Sequence, residues 1–298
     1  MHEMNLPKLI ERFGSEDKCR AHLEELRWPN GVECPRCDSN KISRLTDRNQ
    51  YECSTCRYQF SVTAGTILHD SHLPLWKWFL AIYLIVESKK GISSKQLQRM
   101  LSVSYKTAWY LSHRIRDAMG DDDQMPLLGI IEADETWHGG KRPGSGSGPN
   151  RAGNKVVVVG AVERGGEVRL RMTHGRDRGT LTRFLNEVVD DKATAIYTDD
   201  WVGYKGVGDD DTEHATVNHS IKEWVRGDVH TNGVENVWSL FKRSVIGSYH
   251  QVSVKHLPAY LDELEWRYNN RNNPYLFRDT PMQLVASDPL TLKKLVRD

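Results

Sequence analysis

The chain of 298 residues has no apolar run of eighteen or more residues, which excludes an ordinary transmembrane helix. Its richest apolar stretch, LPLWKWFLAIYLIV from Leu73 to Val86, is shorter than that and carries Lys77. It reads as a core helix near 73–88. The first twenty residues lack the apolar centre of a secretory signal, so the expected compartment is the cytoplasm, with no membrane partner. No GKS or GKT follows a glycine-rich segment, so the glycine-rich stretch KRPGSGSGPNRAGN is not a Walker phosphate loop. Charge of one sign is also missing: 41 Lys+Arg face 40 Asp+Glu, a net of +1. That balance is uneven along the chain. Residues 1–120 hold 18 basic against 13 acidic side chains, and the remainder 23 against 27. A basic front half suits an anionic partner such as nucleic acid.

Cysteine is scarce, at five residues, but four of them fall into one pattern. CPRC (Cys34, Cys37) and CSTC (Cys53, Cys56) are separated by fifteen residues. Cys-x2-Cys twice at this distance is zinc spacing. Four thiolates complete a closed tetrahedral shell, so one structural Zn2+ in a zinc ribbon is expected. Two disulfides or a redox pair would be the rival reading. KISRLTDRNQYEC reads as a hairpin between the pairs, and YQFSVTAGTIL continues in strand-like alternation.

Gly91 to Met119 reads as two helices around a short turn. Ser93 or Ser94 caps a first helix over Lys95 to Leu101. Tyr105 to Met119 forms the second, with Ala108, Leu111, Ile115 and Met119 on one face. Exposed Lys106, Arg114 and Arg116 would then suit a helix-turn-helix reader of DNA. An ordinary helical pair with solvated basic residues is the plainer alternative.

After the acidic linker GDDDQMP, LLGIIEADETWHG is a strand running through Asp134. KVVVVGAVERGGEVRLRMT is a hairpin around RGGE. TLTRFLNEVVD is a helix, TAIYTDD a strand ending at Asp199, and ATVNHS a short strand-like piece. HTNGVENVWSLFKRSVIG is a helix holding Glu235, and SVKHLPAYLDELEWRYNNR a further helix. This order matches a ribonuclease-H-like domain. The expected fold is therefore α/β, a mixed sheet with helices. Residues 1–70 would form the ribbon with an N-terminal helix, 71–125 the helical DNA-binding segment and linker, and 126–298 the catalytic domain.

Neighbouring strand ends place Asp134 and Asp199 side by side, and the helix brings Glu235 across them. Three converging carboxylates are costly without cations. Two Mg2+ or Mn2+ ions would turn them into a phosphoryl-transfer site. Glu132, Glu135 and Asp200 adjoin the pair. On a strand Glu135 and Asp200 point away from their neighbours, so supporting or solvated roles are expected for them. His138, His219, His230 and His250 are left unassigned, and Trp201, Trp238 and Trp266 read as packing residues.

IEADETWHGGK, IYTDDWVGY and HTNGVENVWSLFKR resemble the three catalytic blocks of DDE-superfamily insertion-sequence transposases. The nearest resemblance is to the ISXO-type group, which also carries an N-terminal zinc ribbon. It extends from the ribbon to the last helices. It implies Asp134, Asp199 and Glu235 as the metal-holding triad, with 35 residues between the last two. It also implies Lys242, seven positions after Glu235 and on its helical face, as a phosphate contact. Some members carry Asn in place of the last acid, which makes Asn232 a candidate accessory ligand. Lys141 and Arg142 are further candidate phosphate contacts. The implied activity is metal-dependent cleavage and strand transfer at an element's terminal repeats. The implied partners are double-stranded DNA, both repeat and target, and further copies of the chain, because an element has two ends. A nuclease without strand transfer and a DNA-binding regulator that has lost its chemistry are the alternatives.

Overall fold

A computed structural model describes residues 4–120, 124–139, 155–208 and 212–297. The chain divides into two compact units, one of residues 1–119 and 272–298, the other of residues 120–271. The sequence-based division placed 272–298 with the catalytic residues, whereas their contacts lie within the first unit.

The first unit begins with α1 (Leu6–Phe13) and α2 (Glu16–Arg27), capped by the side chains of Asn5 and Ser15. A small antiparallel sheet follows: β1 (Ile42–Leu45), β2 (Gln50–Cys53) and β3 (Gln59–Phe60). The turn between β1 and β2 ends at Asn49 with φ of 52°, a conformation that Asn tolerates better than most residues. The strand expected to run on through Leu68 stops at Phe60. Turn bonds Ala64 N to Ser61 O and Thr66 N to Thr63 O take its backbone instead, helped by Gly65 at φ +76°. Trp28, Tyr51, Tyr58 and Phe60 pack as the apolar heart of this sheet.

Then come α3 (Leu75–Glu87), α4 (Ser94–Leu101) and α5 (Tyr105–Asp117). Ser93 accepts from Gln96 N and Ser104 from Thr107 N, so each helix of the α4–α5 pair starts on a serine cap. The left-handed residue Ser102 ends α4 and turns the chain. Ala108, Leu111, Ile115 and Met119 are all buried, as the spacing predicts.

The second unit holds a five-stranded sheet in the order β6-β5-β4-β7-β8. Its strands are β4 (Ile130–His138), β5 (Val156–Glu163), β6 (Val168–Thr173), β7 (Ala195–Asp199) and β8 (Glu213–Val217). β4, β5 and β6 pair antiparallel, while β7 and β8 are parallel to β4. This is the mixed α/β, ribonuclease-H-like arrangement that the sequence predicts. Residues 156–162 of β5 are all buried, and VVVVGAV has no polar alternation because both sheet faces are covered.

α6 (Arg178–Val188) covers one face, packing Leu181, Phe184 and Leu185 on Ile131, Ala133, Val157 and Val159. α7 (Asn232–Ser244) and α8 (Leu257–Asn269) cover the other, packing Val234, Trp238, Phe241 and Leu261 on Val156, Val158 and Leu170. β4 thus presents Ile131, Ala133 and Glu135 to one layer, and Glu132, Asp134, Thr136 and His138 to the other. Edge strand β6 is closed by α8: Glu265 accepts from Leu170 N at 2.7 Å and Asn269 from Val168 N at 2.8 Å. The chain then returns to the first unit with α9 (Leu276–Ala286) and α10 (Leu292–Val296). No helix among the described residues is long and apolar enough to cross a membrane.

Candidate active site and metal centre

The four ribbon cysteines converge. Their sulfurs all lie within 4.8 Å of one another, with Cys34–Cys56 and Cys37–Cys53 each at 3.6 Å. A disulfide would require about 2.05 Å, and all four are free thiols. Thiolates around a tetrahedral zinc stand about 3.8 Å apart, given Zn–S bonds near 2.3 Å. The cluster therefore fits that ion. The two Cys-x2-Cys turns are built alike. In each, the amide after the second cysteine (Asp38, Arg57) donates to the carbonyl of the first at 2.9 Å, and that residue takes a positive φ. Cys19 lies outside the cluster and is buried.

In the second unit, β4 and β7 bring the aspartates together. The parallel register runs Ile130↔Ala195, Ile131↔Ile196, Glu132↔Tyr197. Two residues further along, Asp134 stands beside Asp199, on the same face of neighbouring strands. Burial, with the charges of Glu135 and Asp199 adding to it, raises Asp134 from 3.8 to about 7. Burial and then the charges of Glu135, Asp134 and Asp199 also push the Tyr204 phenol well above its usual range. The two aspartates are positioned from both sides: Trp238 Nε1 donates to Asp134 Oδ2 at 2.9 Å, and Trp201 N donates to Asp199 Oδ1 at 3.0 Å.

Glu235 lies in the first turn of α7 and is exposed. Thr231 Oγ1 donates to its Oε1 at 3.1 Å. It stands one turn before Trp238, on the helix that covers Asp134. Among the described residues the cysteines form the only set of three or more ligand groups within 4.8 Å, so the three carboxylates are not gathered as tightly as the thiols. Asn232 opens α7 and Lys242 lies in its last turn, both exposed. The carboxylates are hard oxygen donors, suited to Mg2+ or Mn2+. Asp134 is raised chiefly by burial and further by the charges of Glu135 and Asp199, and a bound cation would favour its ionised form.

The residues flanking the pair have definite partners. Glu135, on the opposite face as alternation predicts, takes Arg176 Nη1 at 2.8 Å and the Tyr204 hydroxyl at 2.9 Å. Asp200 is exposed. His138 is buried, its Nε2 3.0 Å from Val252 O, and His250 Nδ1 lies 3.1 Å from Ile246 O. Glu132 has the larger part. It is buried and accepts from Arg164 Nε at 2.8 Å and from the backbone amide of Gly233, with His230 Nδ1 at 3.1 Å. A Cβ on Gly233 would come within 2.7 Å of that carboxylate. Glu132 thus caps α7 from another element, in place of a side-chain cap of the helix's own, and fixes the helix to β4. Its place two residues before Asp134 was the available signal. Nothing in the sequence announced Arg164.

Two expected DNA contacts are not exposed. Arg114 and Arg116 are buried, at 3% and 0%. Arg114 donates to His69 O at 2.7 Å and lies over the rings of Trp78 and Tyr110; burial lowers its pKa. Both fall on the core side of a helix whose apolar stripe is wider than the sequence suggested. Lys106 is exposed, as are Lys95 and Arg99 of α4. Lys141 and Arg142 lie outside the described residues.

Residues 126–269 match the ISXO2-like transposase domain family, and residues 14–59 match the transposase zinc-ribbon domain family. An uncharacterized protein in transposable element ISH50 of Halobacterium salinarum is 29% identical over 275 residues, 87% of this chain and 92% of that protein. An uncharacterized transposase-like protein of Haemophilus influenzae is 31% identical over 75 residues, 25% of this chain and 59% of that protein. Among solved structures, the Mos1 Strand Transfer Complex shares 14% identity across 72% of this chain and 78% of that one, with a TM-score of 0.30. A pre-cleavage Mos1 transpososome shares 15% across 72% and 79%, at 0.28. Likeness at this level says nothing of function.

Proposed function

We propose that the chain, whose residues 126–269 match the ISXO2-like transposase domain family and residues 14–59 the transposase zinc-ribbon family, is a transposase that cuts and joins DNA strands at the terminal repeats of an insertion sequence. The observation that supports this most is the nearness of Asp134 and Asp199, each two residues beyond the last register pair, Glu132↔Tyr197, of adjacent parallel strands. Two carboxylates side by side beneath a helix that carries a third acid form a donor set for divalent cations.

Asp134, Asp199 and Glu235 would hold two Mg2+ or Mn2+ ions. When bound, these activate an attacking oxygen and offset the charge on the departing one. The chain's own residues do the positioning. Trp238 and Trp201 aim the two aspartates, and Glu132 holds α7 against β4. Lys242, two turns beyond Glu235 on the same face, takes a backbone phosphate, and Asn232 is an accessory polar contact. The ribbon, held by one Zn2+ on Cys34, Cys37, Cys53 and Cys56, and the α4–α5 pair bind the repeats. Lys106 is the exposed cation of α5 there. Two element ends must be held at once, so two or more copies assemble on the DNA.

A strand-transfer assay tests the reading. Purified chain, a labelled duplex ending in the terminal repeat, a target plasmid and Mg2+ should give joined product. Glu235→Gln should abolish it, and Asn232→Ala should retain it. Loss in Asn232→Ala alone would move the third ligand one helical turn. Cleavage without joining would make the chain a nuclease. Tight binding without either would make it a regulator.

A further inference from the structure

Beside the aspartate pair, on the other face of the sheet, sits an arginine held more firmly than its exposure requires. The Arg176 side chain is 36% exposed. Its Nη1 donates to Glu135 at 2.8 Å, and Glu135 is itself fixed by the Tyr204 hydroxyl. Its guanidinium lies 3.8 Å from the centre of the Trp201 ring and 5.8 Å from that of Trp137. Its carbonyl accepts from Trp201 Nε1 at 3.2 Å. Trp201 also holds Asp199 through its backbone amide. The arginine is therefore tied to both aspartates, through Glu135 next to Asp134 and through Trp201 to Asp199.

Neutralising Glu135 takes one N–H of a guanidinium that has five. The others have no hydrogen-bond partner among the described residues. A planar cation stacked on an indole keeps its fork in one orientation and is weakly hydrated, which suits phosphate recognition. Trp137, two residues beyond Glu135 at the same end of β4, leaves 51% of its surface exposed. Paired with Glu135, Arg176 spares the end of β4 a third uncompensated carboxylate, and its remaining N–H groups are donors that a passing phosphate can use.

We propose that Arg176 and Trp137 form a nucleic-acid contact at the rim of the aspartate pair, the guanidinium taking a backbone phosphate and the indole stacking an unpaired base. It rests on the reading of the site as a DNA-processing centre. It adds a contact on the α6 side, across the sheet from Lys242.

The test is a binding measurement that needs no turnover. The full chain carrying Asp134→Asn, which prevents cleavage, is titrated into a fluorescein-labelled duplex with a single-stranded 3′ overhang across a salt series. Adding Arg176→Gln should weaken binding about tenfold and reduce the slope of log affinity against log salt by about one. Arg176→Lys should restore the slope. Trp137→Ala should abolish quenching of a 2-aminopurine placed in the overhang while leaving the slope unchanged. An unchanged slope in Arg176→Gln overturns the proposal. So does a slope lost equally in Gln and Lys variants whose melting temperatures fall together, since that marks a structural role. If binding depends on Arg176 but the parent chain, with Asp134 intact, never joins DNA, the transposase reading falls and the contact stands. Normal joining with an unchanged slope does the reverse.

Discussion

The indole nitrogen of Trp238 donates to Oδ2 of Asp134 across 2.9 Å, joining the helix that carries Glu235 to the strand that carries the first aspartate. The ring itself lies on Gly160 of β5, where a Cβ would approach it to 2.7 Å. A glycine in the middle of a buried strand thus makes room for the tryptophan that aims the carboxylate. Trp238→Phe removes the donor and, being smaller, leaves a gap against Gly160. It should lower strand transfer several-fold, in keeping with one hydrogen bond worth about 1 kcal/mol, together with a modest fall in melting temperature. Gly160→Ala should lower the melting temperature, at about 1–3 kcal/mol for an overpacked core, while keeping the donor. Strand-transfer assays run well below both melting temperatures separate the effects, and a Trp238→Phe protein with full activity would dismiss the positioning role.

Asp134→Asn, Asp199→Asn and Glu235→Gln should each reduce joined product by about a thousandfold or more, the scale of losing a principal electrostatic group from an active site. Affinity for the terminal repeat should stay within a few-fold, because on the proposed reading the ribbon and the α4–α5 pair supply that binding. Gel-shift and strand-transfer assays on the same preparations check both halves. Parallel loss of binding in all three would mean that the carboxylates serve folding instead.

Asp134 links stability to pH. Its folded value, about 7, lies above the ordinary 3.8, so the folded state keeps a proton that the unfolded chain releases. The unfolded chain therefore binds fewer protons between these values, and stability falls as pH rises from about 4 to about 7. Melting temperatures measured in chelator across this window should decline more steeply in the parent than in Asp134→Asn. Above pH 7, Mg2+ should raise the parent's melting temperature and leave the variant nearly unmoved. Identical profiles for the two proteins would contradict this account.

Glu132 pairs with Arg164, touches His230 Nδ1 and caps the start of α7. Glu132→Ala leaves Arg164 facing a buried gap, and a broken buried pair costs about 3–5 kcal/mol. Glu132→Gln keeps the shape and an acceptor for Gly233 N, so it should fold better than the alanine variant while losing activity. Denaturant unfolding with a matched activity assay reads this, and equal stability of both variants would show that the capping is unimportant.

Removing the ribbon's metal should unfold the ribbon alone. Cys34→Ser with Cys37→Ser, or a strong chelator, should abolish repeat binding, since a structural zinc contributes about 10–16 kcal/mol of apparent binding energy to a small domain. Hydrogen exchange across residues 28–60 measures it. Protection there that survives both treatments would rule out a structural metal.

The sequence alone determined the ribbon, because Cys-x2-Cys turns are local and their spacing states the chemistry. It also determined the strand and helix order of the second unit, since period-2 and period-3.6 patterns follow from which faces are buried. The place of Asp134 and Asp199 at one level of the sheet was legible once β4 and β7 were read as neighbours. What the tertiary structure decided depends on groups far apart in the chain. Arg114 and Arg116 look like DNA contacts on a helical wheel, yet both are buried, and Arg114 is packed against Trp78 and His69. Glu132 became the cap of α7 only because β4 runs beneath residues about a hundred positions later. Arg164 and Arg176 carry no local signal, for a guanidinium acquires its role from the carboxylate and the ring it meets. Spacing along a chain encodes local turns and amphipathic faces; which side chain closes which distant charge is settled when the layers pack.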